Sequence, residues 1–198
     1  CVGSDKVPIP GAYQIEFYRK MIEGKSVAVV ANQTSMVGHT HLVDTLLSMK
    51  VNIKVIFAPE HGFRDLADAG ESIADGKDTR TQIDIISLYG NHVKPTPEDL
   101  RGIDVVLFDI QDVGTRFYTY ISTLHYLVEA CAENNVKCII LDRPDPNGFY
   151  IDGPVLRPEF ISFVGIHPIP VVHGMTIGEL AKMINGEGWL GNQLVCDL

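Results

Sequence analysis

Several motifs that would identify a cofactor or metal site are missing from this 198-residue sequence. No G-x-G-x-x-G follows a predicted strand, so the fingerprint of dinucleotide binding is absent. No P-loop of the form G-x-x-x-x-G-K-[S/T] occurs, and neither C-x-x-C nor H-E-x-x-H is present to indicate a metal site. We therefore expect no cofactor and no metal.

Long apolar runs and basic clusters are missing as well. No run approaches the roughly 20 residues that a membrane-spanning helix needs. The formal net charge is -9 and no basic patch is present, which argues against a nucleic-acid partner. With 45% hydrophobic and 21% charged residues, the composition is that of a globular protein with one well-packed domain.

The four cysteines fall into two groups. The chain begins at Cys1, which predicts the lipid-bearing first residue of a bacterial lipoprotein in the periplasm or cell envelope. The alternative is a chance boundary of the sequence. Cys131, Cys138 and Cys196 are predicted to be buried thiols rather than ligands or nucleophiles, since the first two fall in an apolar helix and an apolar strand.

Apolar runs alternate with helical patterns along the chain. Strands are predicted at 26–32, 51–58, 83–90, 104–110 and 136–142, and helices at 13–25, 41–50, 116–134 and 176–188. This alternation predicts an α/β fold with a mainly parallel sheet of five or six strands and helices on both faces. Runs that are apolar throughout predict central strands; they are 26–32, 51–58, 104–109 and 136–141.

Polar and titratable side chains follow the ends of these strands. They are Glu60 and His61, then Asp109, Asp112 and Arg116, then Arg143, Asp145 and Asn147, and finally His173 after the apolar IPVV. Ligands of open parallel sheets bind at the carboxyl ends of the strands, so these residues are expected to share one site. We expect a shallow exposed groove lined by Glu60, Asp109, Asp112 and His173.

Simpler roles compete for most of these residues. Asp112 is equally suited to cap the helix predicted near Arg116, and Asp142 with Arg143 to form a structural ion pair. His167 and His173 would each serve to satisfy a loop carbonyl. Acidic residues at 65, 68 and 71 are expected to be solvated. Glu60 is the hardest to explain in this way, because no helix needs a cap there.

Long stretches resemble a known family. FAPEHGFR, SLYG, KPTPEDLRGIDVVLFDIQDVGTRFYTY, LDRPDPNG and SFVGIHPIPVVHGMTIGELAKMINGEGWL are similar to the bacterial exo-β-N-acetylmuramidase family, long catalogued as a domain of unknown function. The resemblance implies release of terminal N-acetylmuramic acid from the non-reducing end of peptidoglycan fragments. It also implies a Rossmann-like domain, here 24–198 after a tail and helix at 1–23, and a second smaller domain that this sequence lacks. One departure is Arg64-Asp65-Leu66, where the family usually has a glycine.

Glycoside hydrolysis usually needs two carboxyl groups, one of them protonated. Glu60, between apolar Ala58–Pro59 and His61, is our candidate general acid. The second carboxyl group is Asp109, Asp112 or Asp145, and the substrate's own acetamido group is an alternative.

The remaining residues are candidates for substrate binding. Arg116, at the start of a predicted helix, or Arg143 would hold the lactyl carboxylate of muramic acid. Tyr118 or Tyr120 would stack on a sugar ring, with the other packed in the core. Further candidate contacts are His61, Asp145, Asn147 and His173.

Two other functions remain open. The first is a metal-dependent hydrolase or deacetylase acting on cell-wall sugars, with a metal held by Glu60, His61, Asp109, Asp112 and His173. The second is a sugar-binding module without catalysis. Loss of activity with a chelator would favour the first, and binding without turnover would favour the second.

Overall fold

A computed structural model describes residues 7–64 and 75–198. Across these ranges the strands are β1 (Ser26–Ala31), β2 (Met36–Val37), β3 (Thr40–His41), β4 (Asn52–Ala58), β5 (Gly76–Lys77), β6 (Asp84–Ser87), β7 (Val105–Asp109) and β8 (Lys137–Ile140). The α-helices are α1 (Ile15–Ile22), α2 (Leu42–Ser48), α3 (Tyr120–Asn134) and α4 (Ile177–Gly186). None of these helices has the length and apolar character to cross a membrane.

Six strands form one sheet in the order β5–β6–β4–β1–β7–β8. Neighbouring strands run parallel except for the short β5, which is antiparallel to β6. The predicted α/β fold with a mainly parallel sheet is therefore confirmed. β2 and β3 form a separate antiparallel hairpin that leads into α2.

Helices cover both faces of the sheet. α1 and α2 contribute Tyr18, Ile22 and Leu46 to the core on one face. α3 and α4 contribute Leu124 and Leu180 to the core on the other face. Successive side chains of a strand point to opposite faces, so a strand between two such layers is buried on both sides. This explains why β1 is an unbroken apolar run.

β8 was predicted to be a central strand, and that prediction is wrong. Among the described strands it lies at the edge of the sheet, paired only with β7. Its outer side is still covered, because the Cys138 N–H donates to the Asp197 carbonyl at 2.8 Å. Cys138 packs in the same core as Cys196 and Cys131, and all three are buried free thiols as expected. The run is apolar because helices and the terminal segment cover it.

The helix predicted at 116–134 begins at Tyr120 instead. The Tyr118 N–H donates to the Thr115 carbonyl at 3.0 Å, and the Arg116 N–H donates to Val171 at 2.8 Å, so this stretch is a turn that crosses to another segment. The capping box predicted for α4 is present: the Glu179 N–H donates to Thr176 Oγ1, and the Thr176 N–H donates to the Glu179 carboxylate.

Candidate active site

The carboxyl ends of the parallel strands β4, β1 and β7 lie side by side, with β1 between the other two. Glu60 comes shortly after β4 in the chain, and Asp112 shortly after β7. Asn32 and Gln33 follow β1 between them. The convergence predicted from the sequence is therefore present for these loops.

Glu60 sits in a tight turn after β4. The Gly62 N–H donates to the Pro59 carbonyl at 3.1 Å, and His61 and Gly62 both have left-handed backbone angles, with φ of 71° and 89°. A histidine in this region is uncommon and is retained only where the surrounding structure enforces it. The turn leaves the Glu60 side chain half-buried.

Two hydroxyl groups surround the Glu60 carboxylate. Thr119 Oγ1 donates a hydrogen bond to Glu60 Oε2 at 2.7 Å. The phenol of Tyr89, which follows β6, also interacts with this carboxylate, and the hydrogen bond and negative charge raise the pKa of Tyr89. Glu60 is therefore a half-buried carboxyl group that two hydroxyl groups hold in position after the carboxyl end of β4.

Asp112 is a second carboxyl group, and it is only 3% exposed. Its Oδ2 accepts a hydrogen bond from the Gly114 N–H at 2.8 Å, while Oδ1 has no partner among the described residues. Burial raises the pKa of Asp112 to about 6, and the nearby charge of Asp145 acts in the same direction against the backbone hydrogen bonds. Asp112 does not cap a helix, because α3 begins eight positions later at Tyr120.

Asp145 and Asn147 tie two loops of this edge together. Asp145 Oδ1 accepts from the Asn147 N–H at 2.8 Å, and Asn147 Nδ2 donates to the Val113 carbonyl at 2.8 Å. Gly114 has a φ of 70°, and a Cβ there would lie 2.3 Å from Asp145 Oδ2. Only glycine fits at this position, because the carboxylate lies directly against its α-carbon.

Asp109 and Arg143 form a buried ion pair. Arg143 Nε donates to Asp109 Oδ1 at 2.7 Å and Nη2 donates to Oδ2 at 3.0 Å. Asp109 is fully buried and Arg143 is 8% exposed. Burial raises the pKa of Asp109, and the guanidinium group opposes that shift. The pair fixes the end of β7 against the loop after β8.

Comparison of the sequence with known proteins shows which family the chain belongs to. The family model described as exo-beta-N-acetylmuramidase NamZ, N-terminal, matches residues 27–198. The chain belongs to this family. The sequence is 47% identical over 175 residues to the peptidoglycan beta-N-acetylmuramidase NamZ of Bacillus subtilis, which covers 86% of this chain. The family suggested by the sequence motifs is thereby confirmed.

Two solved structures of DUF1343 family proteins from Bacteroides fragilis share the fold of this NamZ-family chain. They superpose with TM-scores of 0.85 and 0.86 at 46% and 42% identity, and each covers 96% of the chain. The chain spans 42% of the length of the Bacillus subtilis relative and 50% and 48% of the two crystallised ones.

Within this NamZ-family domain, the expected shallow groove is not formed by the four residues named for it. Glu60 is half-buried, but Asp109, Asp112 and His173 are almost inaccessible, at 0%, 3% and 3% exposure. The chain's own loops close over these three side chains. Glu60 is therefore the one member of these four that is more than marginally exposed.

Three predicted roles change for a physical reason. Asp109 and Arg143 are committed to each other, so neither presents a free group to a substrate. Arg143 therefore pairs with Asp109 rather than with its neighbour Asp142, which accepts from Thr176 Oγ1 at 2.7 Å. Arg116 is not at a helix start, and its Nη1 donates to the carbonyls of Pro154 and Ile169.

The remaining candidates stay predictions. Tyr118 is half-buried and meets Tyr120 edge-on, with ring centroids 4.8 Å apart. His61 lies beside Glu60 in the turn. The residues at 65, 68 and 71, and the Arg64-Asp65-Leu66 departure beyond Arg64, lie outside the described ranges. Within those ranges no group of three or more His, Cys, Asp or Glu side chains is arranged to hold a metal ion.

Thr119 and Tyr89 are the site residues that the sequence analysis missed. Thr119 was hidden inside the stretch assigned to a helix, although it precedes α3. Tyr89 lies near the end of the strand predicted at 83–90, so its position carried a signal, but nothing in the sequence connects it to Glu60. Their common partner becomes visible only when β4, β6 and the turn before α3 are placed side by side.

Proposed function

We propose that the whole protein releases terminal N-acetylmuramic acid from the non-reducing end of peptidoglycan fragments, and that this domain carries the catalytic carboxyl group. The observation that carries the proposal is Glu60. It lies at the ligand-binding edge of a NamZ-family domain, accessible to a substrate and held by the Thr119 hydroxyl.

Glu60 acts as the general acid that protonates the leaving oxygen of the glycosidic bond. The hydroxyl groups of Thr119 and Tyr89 orient its carboxyl group, so the proton is directed to one place. Good orientation matters because a misplaced acid loses most of its effect on the rate.

Asp112 supplies negative charge from within the domain. The transition state of glycoside hydrolysis resembles an oxocarbenium ion, which is positive at the sugar ring. An ionised carboxylate in a low-dielectric interior stabilises such a charge without contacting it. Because Asp112 is almost inaccessible, the acetamido group of the substrate is better placed than this side chain to attack the anomeric carbon.

The test is product analysis with the whole protein on a defined disaccharide of N-acetylmuramic acid linked to N-acetylglucosamine. Mass spectrometry should show the two free sugars in equal amounts, and a matched disaccharide with N-acetylglucosamine at the non-reducing end should stay intact. Free acetate without cleavage would instead indicate a deacetylase. Binding without any product would indicate a sugar-binding module.

We also propose that the protein acts in the periplasm or cell envelope, where peptidoglycan lies. Attachment to the membrane through a lipid on Cys1 remains part of this proposal, and Cys1 lies outside the described residues. Mass spectrometry of the N-terminal peptide from native cells tests it, with an added diacylglycerol group as the expected result and an unmodified Cys1 as the contrary one.

A further inference from the structure

Three buried histidines lie behind the Asp112 carboxyl group. His125, His167 and His173 are 7%, 1% and 3% exposed. His125 Nδ1 is 3.1 Å from His167 Nε2, and the His167 ring stacks on Trp189 with centroids 5.4 Å apart. His173 Nε2 is 3.8 Å from Asp112 Oδ2. The proposed mechanism uses none of these rings.

All three imidazoles are neutral near pH 7. Burial lowers the pKa of each ring, and His125 and His173 help to bring the pKa of His167 to about 3. Few charged groups of the described residues act on these three rings. The charge of Glu129 raises the pKa of His125 and that of Lys94 lowers it, and the charge of Asp145 raises the pKa of His173. Burial outweighs them because it penalises the charged form of every ring.

The tautomer of His173 is fixed by the backbone. The Met175 N–H donates to His173 Nδ1 at 3.3 Å, so Nδ1 is an acceptor and the single proton of the neutral ring is on Nε2. That N–H is directed to the Asp112 side of the ring, where the carboxylate is 3.8 Å away.

Within the described ranges, His173 and Asp112 each have one buried polar atom without a hydrogen-bond partner. His173 Nε2 and Asp112 Oδ1 have no hydrogen-bond partner among the described residues. The 3.8 Å separation is between His173 Nε2 and Asp112 Oδ2, the oxygen that also accepts from the Gly114 N–H. It is too long for a hydrogen bond, but a small shift of either side chain would bring the imidazole N–H to the carboxylate. Buried polar groups in folded proteins are usually hydrogen-bonded, so an unpaired atom on each of two neighbouring side chains points to an interaction between them.

We propose that His173 is a positioning residue for Asp112: its neutral imidazole offers the Nε2 hydrogen to the carboxylate and so supports the ionised form. The burial of His173, His125 and His167 lowers the pKa of all three rings, which disfavours a second proton on His173. This inference deepens the proposed function, because it explains how a carboxyl group so deeply buried is ionised during the reaction. It also replaces substrate binding as the role of His173.

The direct test measures the ionisation of Asp112 in the whole protein. Carboxyl-¹³C aspartate labelling follows each titration, and the Asp112 signal is assigned by its loss in Asp112→Asn. The wild-type midpoint should lie near pH 6. His173→Leu removes the donor and should raise the midpoint by roughly 1–2 pH units, the size expected for one lost hydrogen bond to a charged group.

The conservative variant separates the donor from the ring. His173→Gln places an amide N–H near the position of Nε2, and it should leave the midpoint within about 0.3 pH unit of wild type. His39→Leu, which changes an exposed histidine in the same way, should have no effect. An unchanged midpoint in His173→Leu, or an equal shift in the Leu and Gln variants, overturns the proposal.

Kinetics distinguish positioning from substrate binding. In His173→Leu, kcat on the muramic-acid disaccharide should fall about 5- to 50-fold at pH 6, in line with the smaller ionised fraction of Asp112, with KM within about twofold, while His173→Gln should retain most activity. A tenfold rise of KM in both variants with an unmoved pH profile would show that His173 contacts the substrate. If no sugar is released but the titration shifts as expected, the proposed function fails and the role of His173 stands.

Discussion

Replacing Asp112 by Asn should make the domain more stable at alkaline pH, while reducing activity. The pKa of this buried side chain is about 6 rather than the ordinary 3.8. Each pKa unit is worth about 1.4 kcal/mol, so ionising Asp112 in the folded state costs about 3 kcal/mol. Its side chain is only 4% exposed, so solvent screening removes little of this cost.

The sign follows from linkage. A carboxyl group whose folded pKa is raised stabilises the fold at pH values below about 4, and that contribution is lost as the pH rises through about 6. Asn cannot ionise, and its amide oxygen still accepts the hydrogen bond from Gly114. Asp112→Asn should therefore gain up to about 3 kcal/mol over wild type at pH 8, and well under about 1 kcal/mol at pH 4.

Urea unfolding of the 198-residue chain measures this difference. The chain contains one Trp, and its fluorescence reports on the core because Trp189 packs against His167. Paired curves for wild type and Asp112→Asn at pH 4 and pH 8 give the free energies of unfolding. Equal stabilities at pH 8, or a loss on substitution at that pH, would refute the view that Asp112 is a strained, buried carboxyl group.

Three further results are expected. Arg143→Met should destabilise the domain by about 3–5 kcal/mol, because it leaves Asp109 buried without its partner. Adding Asp109→Asn should recover part of the loss. A change below about 1 kcal/mol in urea unfolding would contradict the structural role of the ion pair. Thr119→Val should lower kcat about tenfold, because the hydrogen bond that holds Glu60 is lost, whereas Thr123→Val on the next turn should not; equal rates for the two variants would exclude the positioning role. The rate of the wild-type enzyme should rise with pH through about 6 as Asp112 ionises, and a pH–rate profile that is flat between pH 5 and 7 would argue against its charge.

The fold was predictable because its signals are local. Mainly apolar runs predicted β1, β4 and β7, and the Thr176–Glu179 spacing predicted the start of α4. The start of α3 was not predictable, because the Arg116 N–H is taken by Val171, 55 positions away. The position of β8 was wrong because an apolar run records burial and not the identity of the element that covers it.

The position of the candidate site in the fold was predictable from the sequence, but the contacts between its residues were not. Glu60 and Asp112 follow the carboxyl ends of β4 and β7 as the sequence predicted, and ligand binding at this end of the sheet stays a prediction. Burial and pairing depend on contacts between distant residues: Arg143 pairs with Asp109, 34 positions away, rather than with its neighbour. Asp112 and His173 are 61 positions apart and are brought together by backbone contacts between their loops, among them the His173 N–H donating to the Gly114 carbonyl at 3.1 Å.

The most direct test of the central claim is Glu60→Gln in the whole protein, assayed on two muramic-acid glycosides. The variant keeps the size and polarity of the side chain but removes the titratable proton. On the disaccharide with N-acetylglucosamine, turnover should fall by about 10²–10⁴-fold with little change in binding, since a positioned acid contributes that much to the rate. With an aglycone that leaves easily without protonation, the deficit should be much smaller. Near-wild-type turnover on the disaccharide would contradict the assignment of Glu60 as the general acid.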